Sequence, residues 1–177
     1  MIVGKYIGLR ALEREDLSTL RDWRNKIKFR KNFREVRELS LADQESWFES
    51  LQKTKHINYM FVVIDLETNT PIGAAGLLYI NWIIRSADFS FYIGGDDIYI
   101  DESPKCKEAV HLLLNYGFGN LNLNKIWMEL YEFDSKKISF FTKNYKFLKD
   151  GVLRDNCFEN GEFHNSYIIS LLRRDFR

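Results

Sequence analysis

The feature that most constrains this chain is a change of hydrophobic period between Arg85 and Gly117, RSADFSFYIGGDDIYIDESPKCKEAVHLLLNYG. Ala87, Phe89, Phe91 and Ile93 alternate with Ser86, Asp88, Ser90 and Tyr92, which places the two sets on opposite faces of a strand. Gly94 and Gly95 end the alternation, and an acidic loop follows. Val110, Leu113, Leu114, Gly117, Phe118 and Leu121 then recur at helical spacing. Ser103 stands before them as N-cap, with Pro104 at the first helical position. A strand that runs through a loop into a helix N-terminus offers backbone N–H groups and a positive dipole end to an anion.

The flanks fit a sheet covered by helices. Tyr6–Leu12 reads as a first strand, and Asp16 or Ser18 opens a helix with Leu17, Leu20, Trp23 and Ile27 on one side. Lys28–Arg37, KFRKNFREVR, is basic and aromatic. It reads either as a solvated connection or as a loop whose cations meet an anionic ligand while Phe29 or Phe33 stacks on a base. Ser40 begins a second helix that buries Leu41, Phe48 and Leu51. Asn58–Leu66 and Pro71–Ile80 are strands joined by the turn-rich ETNTPIG, and Lys125–Tyr131 alternates as another. Ser135 starts a short helix, and Phe147–Arg154 and Phe163–Leu172 close the chain across a turn at Glu159-Asn160-Gly161. Strands and helices in mixed order predict an α/β or α+β sandwich around a mixed sheet. With no linker, repeat or low-complexity tract, residues 1–177 are expected to form one domain.

Charge and cysteine usage narrow the chemistry. Lys plus Arg number 26 against 25 Asp plus Glu, so no bulk field recommends a nucleic-acid partner. Cys106 and Cys157 are far apart, and His56, His111 and His164 show no metal-ligand spacing, so the expectation is free thiols, no metal and no Ser-His-Asp site. The N-terminal MIVGKYIGLRAL lacks a signal peptide's apolar core. No apolar run nears the ~20 residues that span a bilayer, so a soluble, cytoplasmic protein without a membrane partner is expected.

FSFYIG, a loop and EAVHLLLNYGF together resemble the GNAT superfamily of acetyl-CoA-dependent N-acetyltransferases, and within it the ribosomal-protein-alanine and nucleotide-aminosugar branch. IGLRALEREDL, LRDWRN, ADQESWFESL, PIGAAGL, NKIWMELYEFDSKKISFF and GVLRDNCFENGEFHNSYIISLL match in the same order, so the resemblance covers nearly the whole chain. It implies a GNAT fold, a mixed central sheet of about seven strands with splayed fourth and fifth strands, flanked by about four helices. Into the gap it puts the pantetheine arm of the cosubstrate acetyl-CoA, against the backbone of Phe91, Tyr92 and Ile93, with one N–H polarising the thioester carbonyl. It sets the pyrophosphate over Ser103, Lys105, Cys106 and Lys107. Asp88 matches an acidic residue often found on this strand, and as candidate base it would draw a proton from the amine through a water. The structural alternative is an Asp paired with Arg85. Asp134 and Phe141 stand beside the cofactor, where relatives carry the Asn and Tyr of N-x-x-x-I-x-x-Y. Tyr145, one turn further on, is the candidate acid.

Two departures follow. The family pattern Q/R-x-x-G-x-G/A has become DESPKCKEA, without glycine and with two extra residues. Pro104 brings no N–H, and Asp101 and Glu102 add negative charge. Phe141, moreover, cannot protonate a thiolate.

The resemblance also implies the acceptor side. Trp23, Arg24 and Asn25 match the WRN stretch of the aminosugar enzymes, and Trp47 matches the Trp of their second helix. Arg24 would pair with a nucleotide diphosphate while a Trp or Phe stacks on its base, core packing being the default for both tryptophans. The expected reaction is direct attack of a neutral amine on acetyl-CoA, the preferred acceptor being a nucleotide-linked aminosugar. The alternative acceptor is the N-terminal amine of a ribosomal or other protein. The alternative class is a GNAT-fold binding module that has lost catalysis. Exposed edge strands and the aromatic surplus point to a homodimer.

Overall fold

Eight strands make one mixed sheet in the computed structural model, which describes residues 1–176. They are β1 (Ile2–Val3), β2 (Ile7–Ala11), β3 (Tyr59–Asp65), β4 (Thr70–Asn81), β5 (Ser86–Ile93), β6 (Lys125–Tyr131), β7 (Leu148–Glu159) and β8 (Glu162–Leu172), in spatial order β1-β2-β3-β4-β5-β6-β8-β7. Every neighbouring pair is antiparallel except β5 with β6. The helices are α1 (Leu17–Asn25), α2 (Ile27–Arg30), α3 (Leu41–Lys53), α4 (Pro104–Asn115) and α5 (Ser135–Tyr145). The architecture is the expected α+β one, with β1 added at one edge and α2 added inside the basic segment.

The period-two reading of the central strand holds on both faces. Ala87, Phe89, Phe91 and Ile93 join Val63, Ala75 and Leu77 beneath Ala109, Val110, Leu113 and Leu114 of α4 and Phe140 and Phe141 of α5. On the other face, Tyr92, Ala74, Val62 and Ile64 pack against Leu17, Leu20 and Trp23 of α1 and Phe48 of α3. Two helix faces differ from expectation. α1 stops at Asn25, which leaves Ile27 80% exposed beyond it. In α3 the buried pair is Gln44 and Phe48, four residues apart on one face, while Leu41 at the first helical position is exposed.

Local signals set the joints. Ser103 caps α4 by accepting from the Cys106 N–H at 3.1 Å, with Pro104 following as read from sequence. Glu108 on α4 accepts from the backbone N–H groups of Lys5, Tyr6 and Ile7 at 2.7, 2.6 and 2.9 Å, which clamps the helix to the start of β2. The β7–β8 turn places Asn160 and Gly161 at φ +53° and +86°, the left-handed pair that an Asn-Gly hairpin turn requires. At Gly94 a Cβ would run into the indole of Trp23, so only glycine lets the chain leave β5 there.

One irregularity positions the site. β5 pairs with β4 out to Ile93, and β6 pairs with β8 along its whole length. Yet β5 and β6 pair with each other only at Ser86, Ala87 and Asp88. Beyond Asp88 the two central strands diverge, as the resemblance implies. No helix among the described residues is long and apolar enough to cross a membrane, and no His, Cys, Asp and Glu group there could hold a metal ion. Both cysteines are free. His111 is exposed and lies against the ring of Phe176.

Candidate active site in the strand gap

An antiparallel ladder turns the N–H and C=O of alternate residues away from its partner strand. On β5 the residues so turned include Phe91 and Ile93. The Phe91 carbonyl accepts from Lys137 Nζ at 2.6 Å, and the Ile93 N–H donates to the Tyr99 carbonyl at 2.9 Å. Of the three backbone positions expected to meet a pantetheine arm, Phe91 therefore turns its N–H into the gap and Ile93 has its amide closed by the loop. Tyr92 faces β4, and its ring lies on the opposite face of the sheet, 5.2 Å from Phe33 and 6.5 Å from Trp23. Burial pushes its phenol up to about 12.

Lys137 lines the candidate site, and the sequence reading missed it. It is only 7% exposed, and its ammonium also donates to Tyr99 Oη at 3.2 Å. Tyr99 Oη in turn donates to Asp134 Oδ2 at 3.1 Å, while Asp134 Oδ1 caps α5 by accepting from the Lys137 N–H. Asp134 thus serves as N-cap and as anchor of this cluster. Burial pulls the Lys137 pKa below its ordinary value, against the pull of Asp134 and Asp88. A signal was present in the sequence, since Lys137, Phe140 and Phe141 share the i, i+3, i+4 stripe that α5 buries.

The pyrophosphate side is less open than its residues imply. Ser103 Oγ is used twice, donating to Asp101 and accepting from the Cys106 amide. The Lys107 N–H returns to the Ser103 carbonyl. Pro104 has no N–H, so Lys105 holds the first-turn amide still open among the described residues. Lys105 Nζ pairs with Asp65 at 2.6 Å and lies 3.7 Å from Glu67, while Lys107 pairs with Glu102 at 2.8 Å. Neither lysine is a spare cation. Burial pushes the Cys106 thiol up to about 12. A cavity of about 590 Å³ lies alongside, lined by Asp101, Glu102, Ser135, Lys136 and Ser139 among others.

Phe141 and Tyr145 serve the core. Phe141 is fully buried, its ring 5.2–5.5 Å from those of Phe89, Phe140 and Phe147. Tyr145 Oη donates to the Lys107 carbonyl at 2.7 Å, and burial holds its proton on well above the ordinary phenol range. Tyr145→Phe should therefore leave kcat within about twofold and cost only the ~1 kcal/mol of one hydrogen bond. Steady-state kinetics and a thermal melt would read both, and a large fall in kcat would restore Tyr145 as the acid.

On the other face of β5 lies a cavity of about 300 Å³, whose walls include Arg24, Phe33, Arg34, Gln44, Trp47, Asp88 and Lys137. Asp88 stands at the last paired rung before the strands diverge and is 4% exposed. Its partner is Arg34 from the basic segment, Nη1 to Oδ2 at 2.8 Å, and not Arg85, which is held at φ +53° in the turn before β5. Burial raises the Asp88 pKa, and Arg34 opposes that. Arg34 also lies 3.6 Å from Glu129 of β6. The Arg24 guanidinium rests on Phe33, 4.9 Å from its centroid.

Two buried side-chain atoms among the described residues lack any hydrogen-bond partner, Arg24 Nε and Gln44 Oε1. Both residues line this cavity. Of the other expected acceptor residues, Trp47 lines it and Trp23 is core. Asn25 exchanges two 2.8 Å bonds with the backbone of Leu39, which fastens the connection behind the cavity.

The family model described as Acetyltransferase (GNAT) domain matches residues 7–144. The spermidine N(1)-acetyltransferase of Vibrio cholerae is 28% identical over 98% of this chain and 97% of its own. The N-acetyltransferase p20 of Bacillus licheniformis is 30% identical over 66% of this chain and 63% of its own. The crystal structure of the Vibrio cholerae spermidine N-acetyltransferase in complex with CoA and spermine superposes with a TM-score of 0.85 at 25% identity, covering 97% of this chain and 98% of that one. These relatives do not single out the aminosugar or ribosomal-protein branch. The match runs from β2 through nearly all of α5 and takes in the two strands that part after Asp88, so the chain belongs to the GNAT family and is an acetyl-CoA-dependent N-acetyltransferase.

Proposed function

We propose that the acceptor is a primary amine on a molecule that also carries phosphate and hydroxyl groups, with a nucleotide-linked aminosugar preferred. The carrying observation is the pair of unpartnered buried atoms in the acceptor cavity. Arg24 Nε calls for an acceptor, and Gln44 Oε1 calls for a donor. A buried polar atom left unsatisfied costs about 1–3 kcal/mol. A phosphate oxygen and a sugar hydroxyl would satisfy both, whereas a protonated polyamine offers donors only. Such a polycation would also meet Arg24 and Arg34 across the cavity. Phe33 and Trp47 supply flat faces for a base.

The reaction follows from the strand gap. Asp88, at the fork, takes a proton from the incoming ammonium. Its burial-raised pKa brings it nearer to neutrality than an exposed carboxylate. Asp88 passes that proton to solvent, the neutral amine attacks the thioester carbon, and the Phe91 N–H receives the developing oxyanion. As the C–S bond breaks, the nitrogen gives its second proton to Asp88 and CoA departs as the thiolate. Binding both substrates in one cleft supplies the proximity, and no acyl-enzyme is required. Self-association across the exposed β7 edge, where Phe158 and the neighbouring Phe163 lie open, belongs to the same reading. A structural relative from Vibrio cholerae, at 25% identity over 96% of this chain and 95% of that one (TM-score 0.79), is described as dodecameric.

A polyamine acceptor is the second reading, favoured by the spermidine acetyltransferase relatives and by Glu35, Asp88 and Glu129 in the same cavity. A free-thiol assay with a uridine-diphosphate aminosugar and with spermidine separates the two. The expected result is turnover of the aminosugar and a KM raised about 10- to 100-fold by Arg24→Met, the worth of a charge-assisted bond. Faster turnover of spermidine, indifferent to Arg24→Met, would replace the aminosugar by the polyamine.

A further inference from the structure

The acetyl-transfer reading needs a proton for the departing CoA thiolate, and Tyr145, the one group expected to provide it, is committed elsewhere. Phe141 has no proton to give, and Tyr145 donates to the Lys107 carbonyl. The Cys106 thiol, in the first turn of α4, is buried in the core. Lys137 remains. Its Nζ lies in the gap on the carbonyl of Phe91, the residue whose N–H turns toward the thioester oxygen. A thioester held by that N–H would carry its sulfur one bond from the carbonyl carbon, beside the same residue whose carbonyl holds the ammonium. Lys137 is also in the wall of the cavity that holds Asp88, so base and ammonium flank the same gap.

We propose that Lys137 is the proton donor to the leaving thiolate, resting on the acetyl-transfer reading above. As the tetrahedral intermediate collapses, the C–S electron pair goes to sulfur. One N–H bond of the Lys137 ammonium breaks, the S–H bond of CoA forms, and the neutral lysine regains its proton from solvent. The acceptor nitrogen loses two protons: Asp88 takes the first from the ammonium and passes it to solvent before attack, then takes the second as the intermediate collapses. Tyr99 Oη, which accepts from Lys137 Nζ and donates to Asp134, aims the ammonium and is a positioning residue. For the transfer, the ammonium exchanges its bond to Phe91 O for one to the sulfur. The groups around Lys137 also set its acidity. Burial and Arg34 favour loss of the proton, while Asp134, Asp88 and Cys106 oppose it. A lysine eased below its ordinary pKa is a better-matched acid for a thiolate than the Tyr99 phenol, which burial and then Asp134 push up.

The test compares wild type with Lys137→Met and Lys137→Arg in the full chain, measuring kcat by free thiol, acetyl-CoA affinity by calorimetry and folding by circular dichroism. Arginine keeps the charge but does not release its proton near neutral pH. Both variants are expected to fold, to bind acetyl-CoA within a few-fold of wild type, and to lose kcat by about 100-fold or more. Lys137→Met retaining kcat to within threefold would overturn the proposal. So would Lys137→Arg at the wild-type rate, since charge alone would then suffice. Should Lys137→Met not fold, Lys137→Gln, which can still donate to Phe91 O, takes its place with the same outcomes. A wild-type protein that acetylates no amine defeats the underlying reading instead, and that is seen before any variant is compared.

Discussion

Asp88→Asn is expected to lower kcat by about 10²- to 10⁴-fold while leaving the melting temperature unchanged or higher. The amide keeps the shape and can still meet a neighbour, but it cannot take a proton. The stability half of the expectation follows from linkage. Asp88 has its folded pKa raised above the ordinary 3.8, with burial the largest cause and Arg34 opposing it. The folded protein then binds more protons than the unfolded chain between 3.8 and that raised value, so stability falls as pH rises through this window. At neutral pH the ionised carboxylate is a net cost, which Asn removes. Arg34 loses its partner, but its side chain is 49% exposed and stays solvated, so that loss is small. The same shift places the acid limb of kcat/KM above the ordinary carboxylate range, and the limb should vanish in Asp88→Asn. Thiol-release kinetics across pH and a thermal melt check both halves. A variant that melts early yet turns over normally would reduce Asp88 to a structural ion pair.

Phe141→Ala is expected to destabilise the fold by about 3–5 kcal/mol, which for a chain of this size lowers the melting temperature by roughly 6–20 °C. The ring is wholly enclosed by Phe89, Phe140 and Phe147, so its removal leaves a cavity that the two helices and the sheet cannot close. The reciprocal change, Phe141→Tyr, restores the tyrosine of the N-x-x-x-I-x-x-Y pattern. It should not raise kcat, because the hydroxyl would enter an aromatic cluster and cost about 1–3 kcal/mol if left unpartnered. Urea titrations of both variants, beside their kcat values, decide the matter. Phe141→Ala that is stable but inactive would mean that the ring serves the cofactor and not the core.

The contrast between these two positions shows what kind of information a sequence carries. Asp88 was expected on a strand and Phe141 on a short helix, and both elements form there. Their neighbours in space were not legible. The structural alternative for Asp88 paired it with Arg85, three residues away, whereas the tertiary fold brings Arg34 from 54 positions off. Lys105 and Lys107 read as free cations beside a phosphate, but Asp65 and Glu102 take their charge. Lys137 was not singled out from the sequence, and only the tertiary fold makes it a wall of the cavity that holds Asp88.

Alternation along Ser86–Ile93, the Ser103-Pro104 start of α4 and the Asn160-Gly161 turn were legible because period and backbone angle are set by residues within a few positions of one another. Those signals, with the ordered series of motifs, were enough to determine the α+β sheet and its family. The burial of Asp88, the two unsatisfied atoms of Arg24 and Gln44, and the seat of Lys137 on Phe91 O were decided only in three dimensions. Burial and ion pairing depend on which distant segments meet. In a chain with almost equal numbers of acids and bases, local sequence leaves that choice open.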